Sequence, residues 1–307
     1  MIEAVSILFL GLVFLLVGSD LLVTTTERTA STFSISSFYA SFFLIGIATS
    51  APEIFVSIES AMQNETILAV GNALGSNISN IALVFSISIL FVNLDKFNLS
   101  LPSRPFISMI ILGGIAFILI FFDKTFTISD SLILISAFLI SIYFFKPNKE
   151  ENRNLNTKKY SGIVLFLYLT SSLILLIYGS NLFITGATEI ALFLGVTSYV
   201  IGLTLVALGT SLPELAASIQ SARKGKADFI IGNIIGSNTF NIAIAMTTAG
   251  LINSAFFDDT NLLRDFMLLT FSTLIFYLAI KSKNNLKTVY STVLVITYFL
   301  YIESIFK

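Results

Sequence analysis

Long apolar stretches follow one another along the whole chain, separated by short charged or turn-rich breaks. A membrane-spanning helix needs about 20 predominantly apolar residues. Ten stretches have about that length, and we predict transmembrane helices near residues 2–26, 37–61, 67–93, 105–122, 127–145, 161–187, 196–222, 228–253, 262–280 and 287–305. The expected fold class is therefore an all-α integral membrane protein with ten transmembrane helices.

Two short motifs occur twice, 161 positions apart. TSAPE at residues 49–53 returns as TSLPE at residues 210–214, and GNALGSN at residues 71–77 returns as GNIIGSN at residues 232–238. The predicted domains are a first repeat (1–145), a polar linker (146–160) and a second repeat (161–307), with five helices in each repeat. Because five is odd, equivalent helices cross the membrane in opposite directions, as in the inverted-topology repeats of secondary transporters.

Composition agrees with a lipid environment and narrows the chemistry. Only 11% of the residues are charged, whereas soluble domains carry about 25%. The thirty Phe residues are expected to face lipid. Cys and His are absent, so disulfides and the usual zinc, copper or iron ligands are excluded, and any metal ion should be a hard cation with oxygen ligands. The net charge of −1 gives no indication of a nucleic-acid partner, and no protein partner is inferred.

The basic residues predict the orientation in the membrane. All but three of the 17 Lys and Arg residues, namely Lys124, Arg264 and Lys307, follow odd-numbered helices. Cytoplasmic loops carry the excess of Lys and Arg, so both termini should lie outside and the central loop in the cytoplasm. The expected location is the plasma membrane, with the lipid bilayer as surroundings.

Each TSxPE motif places a carboxylate inside an apolar helix. A charge there costs roughly 2.5–3.5 kcal/mol, so Glu53 and Glu214 are functional candidates. Pro52 and Pro213 donate no amide hydrogen, which should free the carbonyls one turn back, near Ala48 and Gly209, for a bound cation. By their spacing of three and four residues, Thr49 and Ser50 are expected to share one helix face with Glu53, and Thr210 and Ser211 one face with Glu214.

The second motif adds further oxygen atoms. Ser76 and Asn80 lie four residues apart, as do Ser237 and Asn241, so each pair should occupy one stripe of its helix. Glycines four apart also allow close helix packing. The combined set of carboxylates, hydroxyls and amide oxygens suits Ca²⁺ better than Mg²⁺, which keeps its waters. Helix–helix hydrogen bonding is the alternative role for these Ser and Asn residues.

The duplicated motifs identify the family. Over essentially its whole length, the chain resembles the cation/Ca²⁺ exchanger superfamily, in particular its prokaryotic Na⁺/Ca²⁺ exchanger branch. The resemblance implies Ca²⁺ binding by Glu53, Glu214 and the backbone oxygens of Thr49 and Thr210. It implies Na⁺ sites formed by Glu53, Glu214, Ser50, Ser76, Asn80, Ser211, Ser237 and Asn241, with backbone carbonyls near Gly46 and Ala207.

The same resemblance implies how access switches and which ions take part. The first and sixth helices would slide past the core, with Gly18 and Gly179 as close-packing points. Asn241 stands where relatives often have Asp, which argues against K⁺ coupling. Ala48 replaces the glycine found in the second copy, Gly209, and this small change is not expected to disturb the site.

These observations predict a transporter that exchanges Na⁺ for Ca²⁺ by alternating access and extrudes Ca²⁺. Ca²⁺/H⁺ exchange, with both glutamates carrying protons, is the alternative. An intramembrane enzyme is disfavoured because the chain has no His, no Cys and no pair of central aspartates. A passive channel is a third possibility. No cofactor is expected; Ca²⁺ and Na⁺ are the transported substrates.

Overall fold

The computed structural model of the chain describes residues 1–92, 101–145, 160–195, 207–257 and 261–305. These residues are mainly helical, as expected. In chain order the helices are α1 (Ile2–Phe33), α2 (Ser37–Thr49), α3 (Ala51–Met62), α4 (Thr66–Leu90), α5 (Ser103–Asp123), α6 (Ile128–Tyr143), α7 (Gly162–Phe193), α8 (Ala207–Thr210), α9 (Leu212–Arg223), α10 (Ala227–Ile252), α11 (Asn261–Lys281) and α12 (Asn284–Ile305).

Seven of these helices are long and apolar enough to cross a membrane, and the bent pair α2–α3 would make an eighth span. Helix α6, with 16 residues, is apolar but shorter. Residues 196–206 of the predicted seventh helix lie outside the described residues, and so does most of the predicted linker. The chain is therefore a multi-pass membrane protein, and the count of ten helices stays a prediction.

The second predicted helix, 37–61, is not continuous. It breaks at Ser50 (φ −80°, ψ 1°), and α2 and α3 meet at an angle of 43°. Proline is tolerated in the first turn of a helix, where no amide hydrogen bond is lost, and Pro52 occupies that place in α3. The expectation that Thr49 and Glu53 share one helix face was wrong, because Thr49 ends α2 and Glu53 belongs to the first turn of α3.

The break recurs in the second half of the chain. Ser211 (φ −87°, ψ 3°) separates α8 from α9, with Pro213 in the first turn of α9. Helix α9 begins and ends 161 residues after α3. The same sequence signal, a proline just after Thr-Ser, therefore produces the same local structure twice.

Helices α1 and α7 pack closely along their length. A Cβ added at Gly11 would lie 2.4 Å from the Phe183 nitrogen, and one at Gly18 would lie 3.0 Å from Leu175 Cβ. Contact positions rise along α1 as they fall along α7, so the helices run antiparallel. The expected close packing at Gly18 and Gly179 is confirmed, since a Cβ at Gly179 would come within 2.8 Å of the α1 backbone.

Helices α4 and α10 form the centre of the bundle. In their most apolar stretches, 78% and 94% of the residues are buried, against 22–39% in the other five single spans. Each contains a π-helical segment, Asn80–Phe85 in α4 and Asn241–Met246 in α10. Segments of this kind are rare and often occur at functional sites.

Phenylalanine contributes much of this centre. The expectation that the Phe residues face lipid was only partly right, because the largest fully buried side chains include Phe42, Phe85, Phe126, Phe229, Phe240 and Phe276. The rings of Phe85 and Phe276 lie 4.7 Å apart in an edge-to-face arrangement. Since lipid is as apolar as these rings, close packing rather than water exclusion stabilises the contacts.

Polar contacts outside the core mark the two ends of the bundle. At one end, Arg28 of α1 stacks on Tyr160, and Lys224 forms an ion pair with Asp20 of α1 at 2.7 Å. These contacts join the C-terminal half of α1 to segments that follow the fifth and seventh predicted helices, where basic residues concentrate.

At the other end, strand β1 (Thr125–Phe126) pairs antiparallel with strand β2 (Ala255–Phe256). The all-α prediction did not include this two-residue ladder. The two strands belong to the connections between α5 and α6 and between α10 and α11. A further hydrogen bond joins these connections, from Phe257 N to the Lys124 carbonyl at 2.7 Å.

Candidate cation site

Two fully buried carboxylates lie in the interior of the bundle. Glu53 and Glu214 have no exposed surface and occupy the first turns of α3 and α9. Partial positive charge at a helix N-terminus favours an anion there. Among the described residues, no Lys or Arg pairs with either acid, and the two carboxylates interact electrostatically with each other. Buried acids in this situation require cations or protons.

Each acid faces hydroxyl groups of the opposite half. The side chain of Thr210 lies near the carboxyl of Glu53. Thr49 and Ser50 approach the carboxyl of Glu214, although neither meets hydrogen-bond geometry with it. The structure therefore brings both TSxPE motifs together, and each motif completes the surroundings of the other motif's glutamate.

Most carboxylate oxygens have no protein donor. Ser76 Oγ donates to Glu53 Oε1 at 3.3 Å. Glu53 Oε2 and both carboxylate oxygens of Glu214 have no hydrogen-bond partner within the described part of the chain. An unsatisfied buried acceptor is costly, and oxygen atoms of this kind are the ligands that hard cations take.

Further predicted site residues carry buried polar atoms without partners. Among the residues that the structure describes, this holds for Ser50 Oγ, Ser211 Oγ, Asn80 Oδ1 and Nδ2, and Asn241 Oδ1. Asn80 and Asn241 are also the first residues of the π-helical segments in α4 and α10. With the carboxylates, these atoms provide an oxygen-rich set that fits a calcium ion or sodium ions chemically.

Other predicted ligands are already hydrogen-bonded to protein atoms. Thr49 Oγ1 lies 3.0 Å from its acceptor, the Ile45 carbonyl, and 3.1 Å from Ser237 Oγ. Ser237 also donates to the Gly46 carbonyl, at 3.4 Å. These groups form a buried wall of the site. The Ala207 backbone belongs to α8, and its side chain lies outside what the structure describes.

The carbonyl freed by Pro213 has a protein donor. Ser180 Oγ on α7 donates to the Gly209 carbonyl at 2.6 Å. The expectation that a bound cation would be the partner of this carbonyl was incomplete, because it rested only on the helix containing the proline. The donor is 29 residues away in the chain, so local sequence carries no signal for it.

Asn233 is a residue that the sequence analysis left out of the site. Its Oδ1 lies 3.1 Å from Thr49 Oγ1 as a second acceptor for that hydroxyl, while its Nδ2 donates to Ser218 Oγ at 2.8 Å and to the Glu214 carbonyl at 3.2 Å. It therefore joins the end of α2 to the start of α9. The available signal was its place in the GNIIGSN motif and its equivalence to Asn72.

Two more asparagines link the central helices. Asn77 Nδ2 donates to the Asn238 carbonyl at 3.1 Å, and Asn238 Nδ2 donates back to the Asn77 carbonyl at 3.2 Å. The two residues are 161 positions apart. Asn241 Nδ2 bonds Asn77 Oδ1 at 3.1 Å. Pairing equivalent residues reciprocally in this way fixes α4 against α10 beside the buried acids.

The chain is similar over most of its length to membrane proteins, two of which are named as sodium/calcium exchangers. It is 30% identical over 294 residues to inner membrane protein YrbG of Escherichia coli, covering 91% of this chain and 89% of that protein. It is 28% identical over 288 residues to the sodium/calcium exchanger MaX1 of Methanosarcina acetivorans, covering 80% and 82% of the two chains. A solved structure of the sodium-calcium exchanger NCX_Mj superposes with a TM-score of 0.80 at 29% identity, covering 99% of both chains.

The family model described as sodium/calcium exchanger protein matches twice, at residues 3–146 and 164–307. The matched regions include both buried glutamates and both copies of each motif. The relatives that carry a functional name are membrane ion exchangers rather than enzymes. The chain therefore belongs to the sodium/calcium exchanger protein family.

Proposed function

We propose that this protein is a secondary active antiporter that exchanges Na⁺ for Ca²⁺ by alternating access and extrudes Ca²⁺ from the cell. The observation that carries the proposal is the pair of buried glutamates, Glu53 and Glu214, with oxygen atoms that lack protein donors. One Ca²⁺ ion or two Na⁺ ions would balance their combined charge. The exchanger structures that resemble the chain were soaked with Na⁺ and with Ca²⁺ or Sr²⁺.

The same charges explain why transport should be an exchange. Without cations, two ionised carboxylates would remain buried and uncompensated, which is energetically costly. The empty carrier would therefore be hindered from switching between its two access states. Binding of either ion species removes this penalty, so movement of one species in one direction becomes coupled to movement of the other species in the opposite direction.

We assign the Ca²⁺ ligands to Glu53, Glu214 and the backbone oxygens of Thr49 and Thr210. The proposed Na⁺ sites use both glutamates with Ser50, Ser76, Asn80, Ser211, Ser237, Asn241 and the carbonyls near Gly46 and Ala207. The unpartnered oxygens of Ser50, Ser211, Asn80 and Asn241 support this assignment. The bonds that already engage Ser237 and the Gly46 carbonyl predict that these two groups hold an ion less directly.

The proposed architecture is ten transmembrane helices in two inverted repeats. The protein is placed in the plasma membrane, with both termini outside the cell and the linker in the cytoplasm. Support comes from the matching bounds of α3 and α9, the antiparallel course of α1 and α7, and the double family match. The concentration of basic residues at one end of the bundle supports the orientation.

The test is radioactive Ca²⁺ uptake into proteoliposomes loaded with Na⁺ and diluted into Na⁺-free buffer. We expect uptake to require internal Na⁺ and to fall to background in Glu53→Gln and Glu214→Gln, because each variant removes a charge that the bound ion balances. Glu59→Gln is the matched control, since Glu59 lies on the same helix as Glu53 but is exposed.

Uptake that ignores Na⁺ and follows an imposed pH gradient would replace Na⁺ by H⁺ as the counter-ion, with the same two glutamates carrying protons. Uptake that proceeds without any counter-ion would contradict the antiport proposal altogether.

A further inference from the structure

A cavity separates α5 from α11 near the centre of the bundle. Its volume is about 550 Å³, and Met109, Gly113 and Gly114 of α5 face Thr270 and Thr273 of α11 across it. The floor is formed by Asn77 of α4 and Asn238 of α10. This volume lies within the range of about 300–1,000 Å³ that is usual for small-molecule pockets.

The walls of the cavity are apolar for identifiable reasons. Gly113 and Gly114 contribute no side chains, and a Cβ added at Gly114 would have no neighbour within 4 Å. On the opposite wall, the hydroxyls of Thr270 and Thr273 donate to the Phe266 and Leu269 carbonyls, one turn back in their own helix. Their methyl groups remain as the surface available to an occupant.

The rim of the cavity lies on the surface that lipid covers. Ile110 of α5 is 47% exposed and Leu274 of α11 is 54% exposed, and both line the cavity. Both helices are apolar membrane spans. An occupant would therefore enter sideways from the hydrocarbon of the bilayer rather than from water.

One acceptor without a donor lies at the floor, covered by the atoms around it. Asn238 is 1% exposed, and its Oδ1 has no partner within the described ranges, while its Nδ2 donates to the Asn77 carbonyl. Asn77 is satisfied, because its Oδ1 accepts from Asn241 Nδ2 at 3.1 Å and its Nδ2 donates to the Asn238 carbonyl. A buried acceptor at the end of an apolar cavity calls for one hydrogen-bond donor on an otherwise apolar molecule.

We propose that this cavity binds a lipophilic molecule dissolved in the bilayer that carries one hydroxyl, such as a phenol, and that this hydroxyl donates to Asn238 Oδ1. Asn238 adjoins Ser237 and lies one turn before Asn241, so an occupant would press on α10 where it borders the cation site. Occupancy therefore slows ion exchange. This last consequence rests on the proposed function, whereas the binding site itself does not.

Photolabelling tests the site without requiring transport. The protein in liposomes is illuminated with 4-hydroxybenzophenone or with benzophenone at equal membrane concentration, and labelled residues are located by mass spectrometry. We expect the hydroxylated probe to label residues 106–117 and 266–277 about fivefold more than benzophenone, the ratio that one modest hydrogen bond provides. Equal labelling by both probes would overturn the proposal.

A cavity-filling variant makes the test specific. Gly113→Leu is expected to remove the excess labelling, because a Cβ there meets only Ile242 Cδ1, at 3.8 Å, and the remaining side chain extends into the cavity. Ile111→Phe adds volume on the exposed side of the same helix and should leave labelling unchanged. Excess labelling that persists in Gly113→Leu would contradict the assignment of the cavity.

The transport arm uses the same pair of compounds in the Na⁺-driven uptake assay. 4-Hydroxybenzophenone should slow the protein with its native sequence and the Ile111→Phe protein but not the Gly113→Leu protein. Specific labelling without slower uptake would overturn the inhibitory consequence. Uptake that is independent of Na⁺ would instead count against the antiport proposal, while the labelling result would stand.

Discussion

The two halves of the cation site share their motifs but support them differently. In the second half, Asn233 is fully buried and its Nδ2 bonds both Ser218 and the Glu214 carbonyl. Its equivalent in the first half, Asn72, is only partly buried, and its Nδ2 has no partner among the residues described. The repeated motif therefore supplies the same residue types to both halves, but the two asparagines are not held by the same hydrogen bonds.

The comparison extends to the hydroxyls that precede the site. Ser180 on α7 donates to the Gly209 carbonyl at the end of α8, whereas its equivalent, Ser19 on α1, donates to Leu16 in its own helix at 3.1 Å. At these two positions the second half is tied to its surroundings by bonds between different helices, whereas at the glutamates the first half has the additional bond, from Ser76 to Glu53. This difference indicates a firmer wall around Asn233 and Ser180 and a looser one around Asn72 and Ser19.

The largest effect is expected where the backbones of α2 and α10 pack closely against each other. Gly236→Ala would place a Cβ 2.4 Å from the Phe42 carbonyl oxygen, so the backbones of α2 and α10 would have to separate. We expect a loss of about 1–3 kcal/mol of stability, measured as a lower midpoint of thermal unfolding in detergent. Gly114→Ala, which meets nothing within 4 Å, is the control. Equal midpoints for both variants would refute the close packing.

The second prediction tests the difference between the two equivalent asparagines, Asn233 and Asn72. Asn233→Ala leaves the Glu214 carbonyl, Ser218 and Thr49 without their shared partner, and we expect Na⁺-driven Ca²⁺ uptake to slow about tenfold. Asn72→Ala should slow it about twofold or less. Initial rates measured at matched protein content decide the matter, and similar losses in both variants would mean that the halves are equally supported.

A smaller effect is expected for the paired serines. Ser180→Ala removes the donor to the Gly209 carbonyl, and we expect uptake to slow about fivefold because the end of α8 loses its connection to α7. Ser19→Ala removes only a bond within one helix and should change the rate by less than about twofold. A larger effect for Ser19→Ala than for Ser180→Ala would reverse the proposed difference between the walls.

The smallest effect concerns the ion pairs between the end of α9 and α1. Lys224 pairs with Asp20, and Lys226 with Glu27, whereas the equivalent positions in the first half hold Gln63 and Glu65. Exposed pairs contribute about 0–1 kcal/mol and are screened by salt. We expect Lys224→Gln with Lys226→Gln to change the uptake rate by less than about threefold at low salt and not at all at high salt. An effect that persists at high salt would assign these lysines a larger role.

The residue types gathered at the candidate site could be predicted from the sequence because they follow from local rules. Carboxylates in long apolar runs and a proline after Thr-Ser are visible within one helical turn. The bend at Ser50 could not be predicted, because a proline in a helical pattern can either kink a helix or start a new one. Nor could the place of Asn233, whose role depends on Thr49, 184 positions away.

By itself, the sequence determined that the chain is a membrane protein with two copies of one acidic, hydroxyl-rich motif, and hence its family. Helix length, polarity and motif spacing are properties of short segments, so they can be read without a fold. Only the tertiary structure decided which glutamate faces which hydroxyls, which equivalent residues are firmly held, and where a cavity opens toward lipid. These features depend on contacts between residues that are distant in the chain, such as Ser41 and Phe229, which are 188 residues apart. The two copies of a repeated motif acquire different neighbours because the surrounding helices are not repeated residue for residue.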